Sequence, residues 1–294
     1  YVHKGRIHAE INQLRSDQGG TVSGRLSYAN PNLQQIPARN KEFGDKIRSL
    51  FLPEEGKQWG SFDYSQQEPR LVAHYSSAIG QNLDGSEEFI KAYQDESADF
   101  HQIVADMAQI SRTQAKTINL GLFYGMGKNK LSKELGISKD KAEILLNQYN
   151  SRVPFVKKLA EAVTQSASKF GFIRTIKGRK CRFDKWEPMT FGMNQAMNYN
   201  EAKANYGNNI RRAFTYKALN RLIQGSAADM TKKAMIDLHA EGIIPHLQVH
   251  DELDISIQNK AEAEKIKEIM ESTVSLEVPN KVDYEEGDNW GSIK

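Results

Sequence analysis

From Arg112 to Gly125 the chain reads Arg-Thr-Gln-Ala-Lys-Thr-Ile-Asn-Leu-Gly-Leu-Phe-Tyr-Gly, and Arg112, Lys116, Leu120 and Tyr124 recur at every fourth position. That spacing puts two cations, one apolar side chain and one aromatic along a single slowly drifting face of an α-helix. A face that opens with Arg and Lys is not made for a core. It meets either solvent, the usual fate of spaced cations, or an anion with a flat or apolar portion, as a nucleoside triphosphate has. Two details favour the anion. Met107 to Lys133 contains five basic residues and no acidic one, where a surface helix would intersperse both signs, and glycines follow Tyr124 to end the helix. The helix therefore reads as built for an anion that the protein does not itself supply.

At 294 residues the chain is long enough for one large domain or two interleaved ones. Its net charge of +3 is too small to imply a nucleic-acid partner by itself, so the position of the charge matters more than its sum. The single cysteine, Cys181, excludes an internal disulfide and a multi-cysteine zinc site. No apolar run is long enough to span a membrane, and no membrane partner is expected. The first residue is Tyr1, not Met, so the chain reads as a piece of something larger.

Alternation predicts strands over Ile7 to Asn12 and Trp59 to Asp63. Ser65-Gln-Gln-Glu68 has the pattern of a capping box and predicts a helix through Leu71, Val72 and Tyr75, with Pro69 its fourth residue, where a missing N–H is no loss. Helical periodicity marks Phe89 to Tyr93, Phe100 to Met107, Lys139 to Asn150, Pro154 to Phe170, Met230 to Ala240 and Ala261 to Thr273, with Gly171 and Gly242 as stops. Leu247 to Val249 and Leu253 to Ile257 flank His250-Asp251-Glu252 as a hairpin with a charged turn.

Asp63 thus falls where a strand hands over to a helix, and Asp251 at the tip of a hairpin. A lone aspartate in either place serves turn chemistry or capping more often than catalysis. Together, and beside a basic helix, the two fit another role. Phosphoryl transfer uses two divalent cations, and hard magnesium takes oxygen ligands such as a pair of aspartates on neighbouring strands.

These residues resemble the signature motifs of family A DNA polymerases. Asp63-Tyr-Ser-Gln-Gln-Glu-Pro-Arg70 is similar to the first palm motif, Arg112 to Gly125 to the fingers helix, and Val249-His-Asp-Glu252 to the second palm motif. Thr21-Val-Ser-Gly-Arg-Leu26 with Asn30-Pro-Asn-Leu-Gln-Gln-Ile-Pro37 is similar to a fourth block, and Asn220 to Ala228 to a fifth. All five stand in the family's order, from about Gly5 to Trp290.

The resemblance implies an α+β right-hand fold without a thumb. Its palm, an antiparallel sheet with helices, would comprise residues 1–77 and 215–294, and a mostly helical fingers subdomain, residues 78–214, would be inserted between. Residues 186–214 read as an extra segment, longer than in bacterial members. Asp63 and Asp251 would bind two Mg2+ ions with the carbonyl of Tyr64, and Glu252 would support that site. Arg112 and Lys116 would hold the triphosphate, Lys116 also donating a proton to pyrophosphate, and His101 would touch the phosphates. Gln66 would lie close to the nucleotide and Tyr124 near the template base. Arg25, Asn220, Gln224 and His250 would contact primer or template in the minor groove, where every correct pair offers acceptors. Glu68 carries two readings, a cap accepting the Ser65 N–H and a block against the sugar 2′-hydroxyl.

Leu120 departs from the family, which usually has Phe or Tyr beside the sugar and triphosphate. Gln67 and Pro69 replace residues that are usually apolar. The implied partners are primer-template DNA, deoxynucleoside triphosphates, and a thumb or exonuclease segment supplied by other parts of the protein or by another chain. The implied setting is the cytoplasm of a bacterium or a phage-infected cell, with an organelle as the alternative. Two other functions fit the same residues less well: a single-subunit RNA polymerase-like enzyme, against which Glu68 argues, and an inactive polymerase-like DNA-binding subunit.

Overall fold

The strand expected around Trp59 forms as Gln58–Tyr64 and becomes the inner strand of a four-stranded antiparallel sheet. The computed structural model describes residues 1–16, 19–37, 43–78, 83–95, 98–123, 126–190 and 195–293, without the side chains of Leu120, Leu122 and Phe123. It divides into two units, one of residues 1–70 with 227–294 and one of residues 71–226. Among the described residues no helix is long and apolar enough to cross a membrane.

In the first unit the sheet runs in the order Leu247–Val249, Glu252–Ile257, Gln58–Tyr64, Val282–Gly287. Leu253 and Tyr284 lie opposite Phe62, and Val282 opposite Tyr64, so one face of the sheet is apolar. Phe62 is fully buried and stacks on Tyr284 with ring centroids 4.9 Å apart. Burial of a side chain of that size contributes about 1.5–3 kcal/mol. The helix Lys260–Ser272 packs on this sheet with Ala263, Ile266 and Met270 buried, and the Tyr64 hydroxyl donates to the Met270 carbonyl at 2.7 Å.

The period of two sends the alternate residues to the other face. Trp59 there joins a smaller core with Tyr28, Leu33, Leu247 and Trp290, while further along Asp63 meets Glu252 on one neighbouring strand and Asp283 on the other. One strand of this sheet, Val282–Gly287, was not expected. Its Val-Asp-Tyr-Glu-Glu-Gly sequence carries the charge typical of an edge strand, which masks its alternation. The strand read over Ile7 to Asn12 is instead two short pieces. Arg6–Ile7 pairs with Val2–His3 and Glu10–Asn12 pairs with Ser27–Ala29.

The capping box does not form. The helix spans Gln67–Ala78, and Gln66 before it has a positive φ of 53°, so a tight turn intervenes between strand and helix. The Ser65 N–H donates to the Lys281 carbonyl at 2.8 Å, and the Glu68 carboxylate accepts from Arg25. Pro69 is the third helical residue rather than the fourth, still ahead of the first helical donor, Arg70, whose N–H bonds the Gln66 carbonyl.

The second unit is mostly helical. The expected helices form as Ser86–Ala92, Phe100–Ala108, Arg112–Phe123, Lys139–Arg152 and Pro154–Phe170. Phe89, Tyr93, Phe100 and Phe155 are fully buried and form its aromatic centre. Gly171 ends the last of these helices with φ 75°, and a Cβ there would come within 2.6 Å of the Arg212 guanidinium carbon. Both conformation and space therefore demand glycine. Lys128–Leu135 is helical without having been expected, because only Leu131 and Leu135 give it apolar periodicity. Two small hairpins follow, Phe172–Arg174 with Lys180–Arg182 and Trp186–Pro188 with Ile210–Arg212, the latter enclosing the helix Tyr199–Tyr206.

The helix expected from Met230 begins at Ala218 and runs unbroken to Ala240. Gly225, Ser226, Ala227 and Ala228 hide its periodicity in sequence. Two of them meet neighbours there: the Ser226 hydroxyl bonds Tyr75 at 2.7 Å, and Arg179 donates to the Gly225 carbonyl at 2.9 Å.

Candidate active site

In the first unit, antiparallel register puts Glu252 directly opposite Asp63. Asp251 occupies the hairpin turn just before, where His250 takes a left-handed φ of 59°. The Tyr64 N–H donates to the Asp251 carbonyl at 3.3 Å, fixing the turn against the end of the central strand. Four carboxylates thus gather at one sheet end: Asp63, Asp251, Glu252 and, across the other strand, Asp283.

Solvent reaches Asp63, yet desolvation and then the charges of Asp251, Glu252, Asp283 and Glu285 push its pKa up to about 8. Burial likewise raises Asp251, opposed by a local backbone N–H, Arg25 and His250. Glu252 accepts the Trp290 indole N–H at 3.3 Å, and the fully buried Asp254 accepts that of Trp59 at 3.0 Å. Asp254 was missed in sequence because a strand interior read as apolar disguises an acid whose indole partner lies far away along the chain.

Carboxylates held this close favour a shared cation over mutual repulsion. The donors are hard oxygens, which suits magnesium. Among the described residues no group of three or more His, Cys, Asp or Glu forms a ready-made cage. Magnesium does not require one, since it keeps several waters and shares oxygens with bound phosphates.

Arg25 stands beside these acids. It donates to Glu68 at 2.8 Å, and with Gln248 and His250 it lines a small cleft against Ala228, Thr231 and Lys232. Burial raises the Glu68 pKa, with Arg25 opposing. Arg70 is buried beneath, its guanidinium donating to the Ser65 and Pro279 carbonyls and so holding the turn that carries Gln66.

The second unit holds the cationic group. Arg112 and Lys116 both lie exposed on the helix Arg112–Phe123. The expectation that the protein supplies no anion to this face needs correction. Asp99 caps the helix Phe100–Ala108 through the His101 and Gln102 N–H groups, and its other oxygen accepts from Arg112 Nε and Nη2 at 2.9 and 2.6 Å. The pairing was not legible because Asp99 lies thirteen residues away, outside the acid-free stretch. Among the described residues no carboxylate forms a salt bridge with Lys116.

His101 belongs to a chain of hydrogen bonds that sequence did not reveal. The Tyr149 hydroxyl donates to Asn119 Oδ1 at 2.5 Å, so the Asn119 amide N–H faces His101 Nδ1 at 3.2 Å. That leaves Nε2 to carry the ring proton of the neutral form. Burial lowers the His101 pKa, Asp99 opposes, and Lys116 and Arg112 lower it further.

Asn220 and Gln224 follow one turn apart on the helix Ala218–Ala240, where the Asn220 side-chain nitrogen is buried without a hydrogen-bond partner among the described residues. The Leu120 side chain and Tyr124 lie outside the described residues.

The model of DNA polymerase family A matches residues 1–292. The chain belongs to that family. Among its relatives are a DNA-directed DNA polymerase of Pseudomonas phage M6, 37% identical over 99% of this chain and 48% of the relative, and the thermostable DNA polymerase I of Thermus aquaticus, 34% identical over 99% of this chain and 33% of the relative. A solved structure, the POL domain of Pol1 from M. smegmatis in complex with DNA primer-template and dNTP, is 32% identical with a TM-score of 0.77, covering 99% of this chain and 49% of that one. The chain thus spans half or less of the length of these family A relatives. Its mixed α/β build, with an antiparallel sheet and packed helices, is that of a family A polymerase domain.

Proposed function

We propose that this chain is the palm and fingers portion of a template-directed DNA polymerase, adding deoxynucleotides to a primer 3′-hydroxyl and releasing pyrophosphate. The observation that carries the reading is the gathering of Asp63, Asp251 and Glu252 by strand register and a tight turn. The solved relative with primer-template and dNTP supports it. Residues 1–77 and 215–294 are assigned to the palm and 78–214 to the fingers. A thumb segment would add phosphate contacts to duplex DNA, making binding tighter and more salt-dependent.

Two Mg2+ ions, when bound, would supply Lewis acidity to the attacking hydroxyl and charge neutralisation to the departing pyrophosphate. Asp63, Asp251 and the Tyr64 carbonyl are their assigned ligands, with Glu252 keeping the acidic end of the sheet anchored to Trp290. Arg112 and Lys116 bind the triphosphate, and Arg112 exchanges Asp99 for phosphate oxygens as it does so. Lys116 donates a proton to the leaving pyrophosphate. His101, donating through Nε2, contacts the phosphates, and Gln66 and Tyr124 border the nucleotide and template base. Arg25, His250, Asn220 and Gln224 meet the minor groove.

Glu68 is assigned to exclude the ribose 2′-hydroxyl, which sets this site apart from that of a single-subunit RNA polymerase. An inactive DNA-binding subunit gains nothing from clustered carboxylates that repel DNA. Primer extension by the full-length protein, with each templating base and with deoxy- or ribonucleotides, separates these readings. Incorporation of only the complementary deoxynucleotide supports the polymerase. Ribonucleotide preference supports the RNA polymerase reading, and DNA binding without extension supports the inactive subunit.

A further inference from the structure

The positive charge of this chain is not spread evenly. Residues 169–221 hold twelve Lys and Arg against three Asp and Glu, a net of +9 in a chain of net +3, which leaves −6 on the remainder. This segment includes the 186–214 stretch to which no role above is assigned.

Its fold presents that charge outward. In the hairpin Phe172–Arg174/Lys180–Arg182, alternation buries Ile173 and Cys181 and brings Phe172, Arg174, Lys180 and Arg182 to the opposite, outer face. The Phe172 ring is flanked by Lys180 Nζ at 4.7 Å and the Arg174 guanidinium at 5.5 Å from its centroid. Aromatic faces hold cations without neutralising them, so the charge stays on display. The second hairpin is clasped to the first through Arg212. Its guanidinium lies 4.6 Å over Trp186, fits against Gly171 and donates to the Phe183 carbonyl at 3.1 Å. Tyr199, 47% exposed, packs edge-on to Trp186 at 5.1 Å and extends the surface with an open aromatic face. Of the three acids in the segment, Glu187 is paired with Arg211 at 2.8 Å.

We infer that this surface is a track for single-stranded DNA, carrying the unpaired template through phosphate contacts to Arg174, Lys180, Arg182 and Lys185 and base stacking on Tyr199. Cations alternating with uncharged rings suit a strand whose bases are unstacked and free to lie on aromatic faces, which a duplex does not offer. The inference rests on the polymerase reading for the identity of its ligand, but not for its measurement.

The test is binding of a fluorescent single-stranded oligonucleotide to the full-length protein across a salt series, without nucleotide or metal. Arg174→Gln with Lys180→Gln should lower the slope of log affinity against log salt by about 1.4, at about 0.7 per phosphate contact on a single strand. Tyr199→Ala should weaken binding about tenfold, in the range of one lost base stack, with the salt slope unchanged. Lys139→Gln with Lys141→Gln, also exposed in the second unit, should change neither quantity. Affinity for a blunt duplex should be unaffected by the track variants.

Equal losses in the track and control variants would reduce the effect to diffuse charge and overturn the inference, as would unaltered single-strand binding. Equal losses on blunt duplex and single strand would overturn the single-strand assignment. If the wild-type protein binds the oligonucleotide through this surface yet extends no primer, the polymerase reading fails and the track stands.

Discussion

Glu68 offers the sharpest test of the proposed sugar discrimination, because the structure gives it a partner. Its bond to Arg25 is 2.8 Å long, and the two side chains are 16% and 24% exposed. A pair so placed lies between the surface case, worth up to about 1 kcal/mol, and the buried case, where removing one partner costs about 3–5 kcal/mol. Glu68→Ala should therefore cost about 1–2 kcal/mol of stability, read as a shift of the denaturant midpoint. Its effect on selectivity follows from volume. Loss of the carboxyl leaves room for one hydroxyl, and admitting or rejecting a single small group is worth roughly 10- to 200-fold.

The assay is kcat/KM for a deoxynucleotide and the matching ribonucleotide with Glu68→Ala, Arg25→Ala and the double variant. If Glu68 acts by its bulk, Glu68→Ala relaxes selectivity by that factor, Arg25→Ala lowers both rates together, and the double variant keeps the relaxed ratio. Should Arg25→Ala relax selectivity as much as Glu68→Ala, the pair would be the discriminating unit and the steric argument would fail. Unchanged selectivity in Glu68→Ala would leave the carboxylate as nothing more than an anchor for Arg25.

Raised pKa values at Asp63 and Asp251 mean that the folded protein binds protons the unfolded chain releases, so their contribution to stability is present below the ordinary carboxylate pKa of about 4 and is lost as pH rises, for Asp63 toward about 8. Magnesium competes with those protons, and its shift of the melting temperature should be larger at about pH 8.5 than at about pH 5; equal shifts would contradict the assignment. Trp59→Phe removes the indole N–H that reaches buried Asp254 and should cost about 1–3 kcal/mol, and an unchanged denaturant midpoint would show that bond to be immaterial. Leu120→Phe restores the flat group usual in the family and should speed incorporation and alter dideoxynucleotide discrimination; equal rates and equal discrimination would rule out a role for that position.

Sequence revealed the elements whose signal is local and periodic. Pro154–Phe170 could be read to the residue because Pro opens it, Gly171 closes it and five buried side chains repeat along one stripe. The hairpin bearing Asp251 was equally legible, since apolar alternation flanks a charged turn. What sequence did not show depends on partners far along the chain. Ser65-Gln-Gln-Glu68 looks like a cap, but Lys281 and Arg25 offer better partners from outside the local segment, and the local motif gives way. The chain Tyr149–Asn119–His101 joins three helices, and nothing in any one of them announces it. Arg112 seemed free only until the cap of the preceding helix turned its second oxygen toward it.

Asp63 and Asp251 are proposed to hold the metals of nucleotide addition. Single-nucleotide incorporation measured by rapid quench, in saturating magnesium and preformed primer-template complex, isolates that role. Asp63→Asn and Asp251→Asn should each lower the incorporation rate by roughly 1,000-fold or more, the several kcal/mol attributed to metal-assisted charge stabilisation, while primer-template binding is kept or tightened. Incorporation within about tenfold of wild type in either variant would contradict the claim.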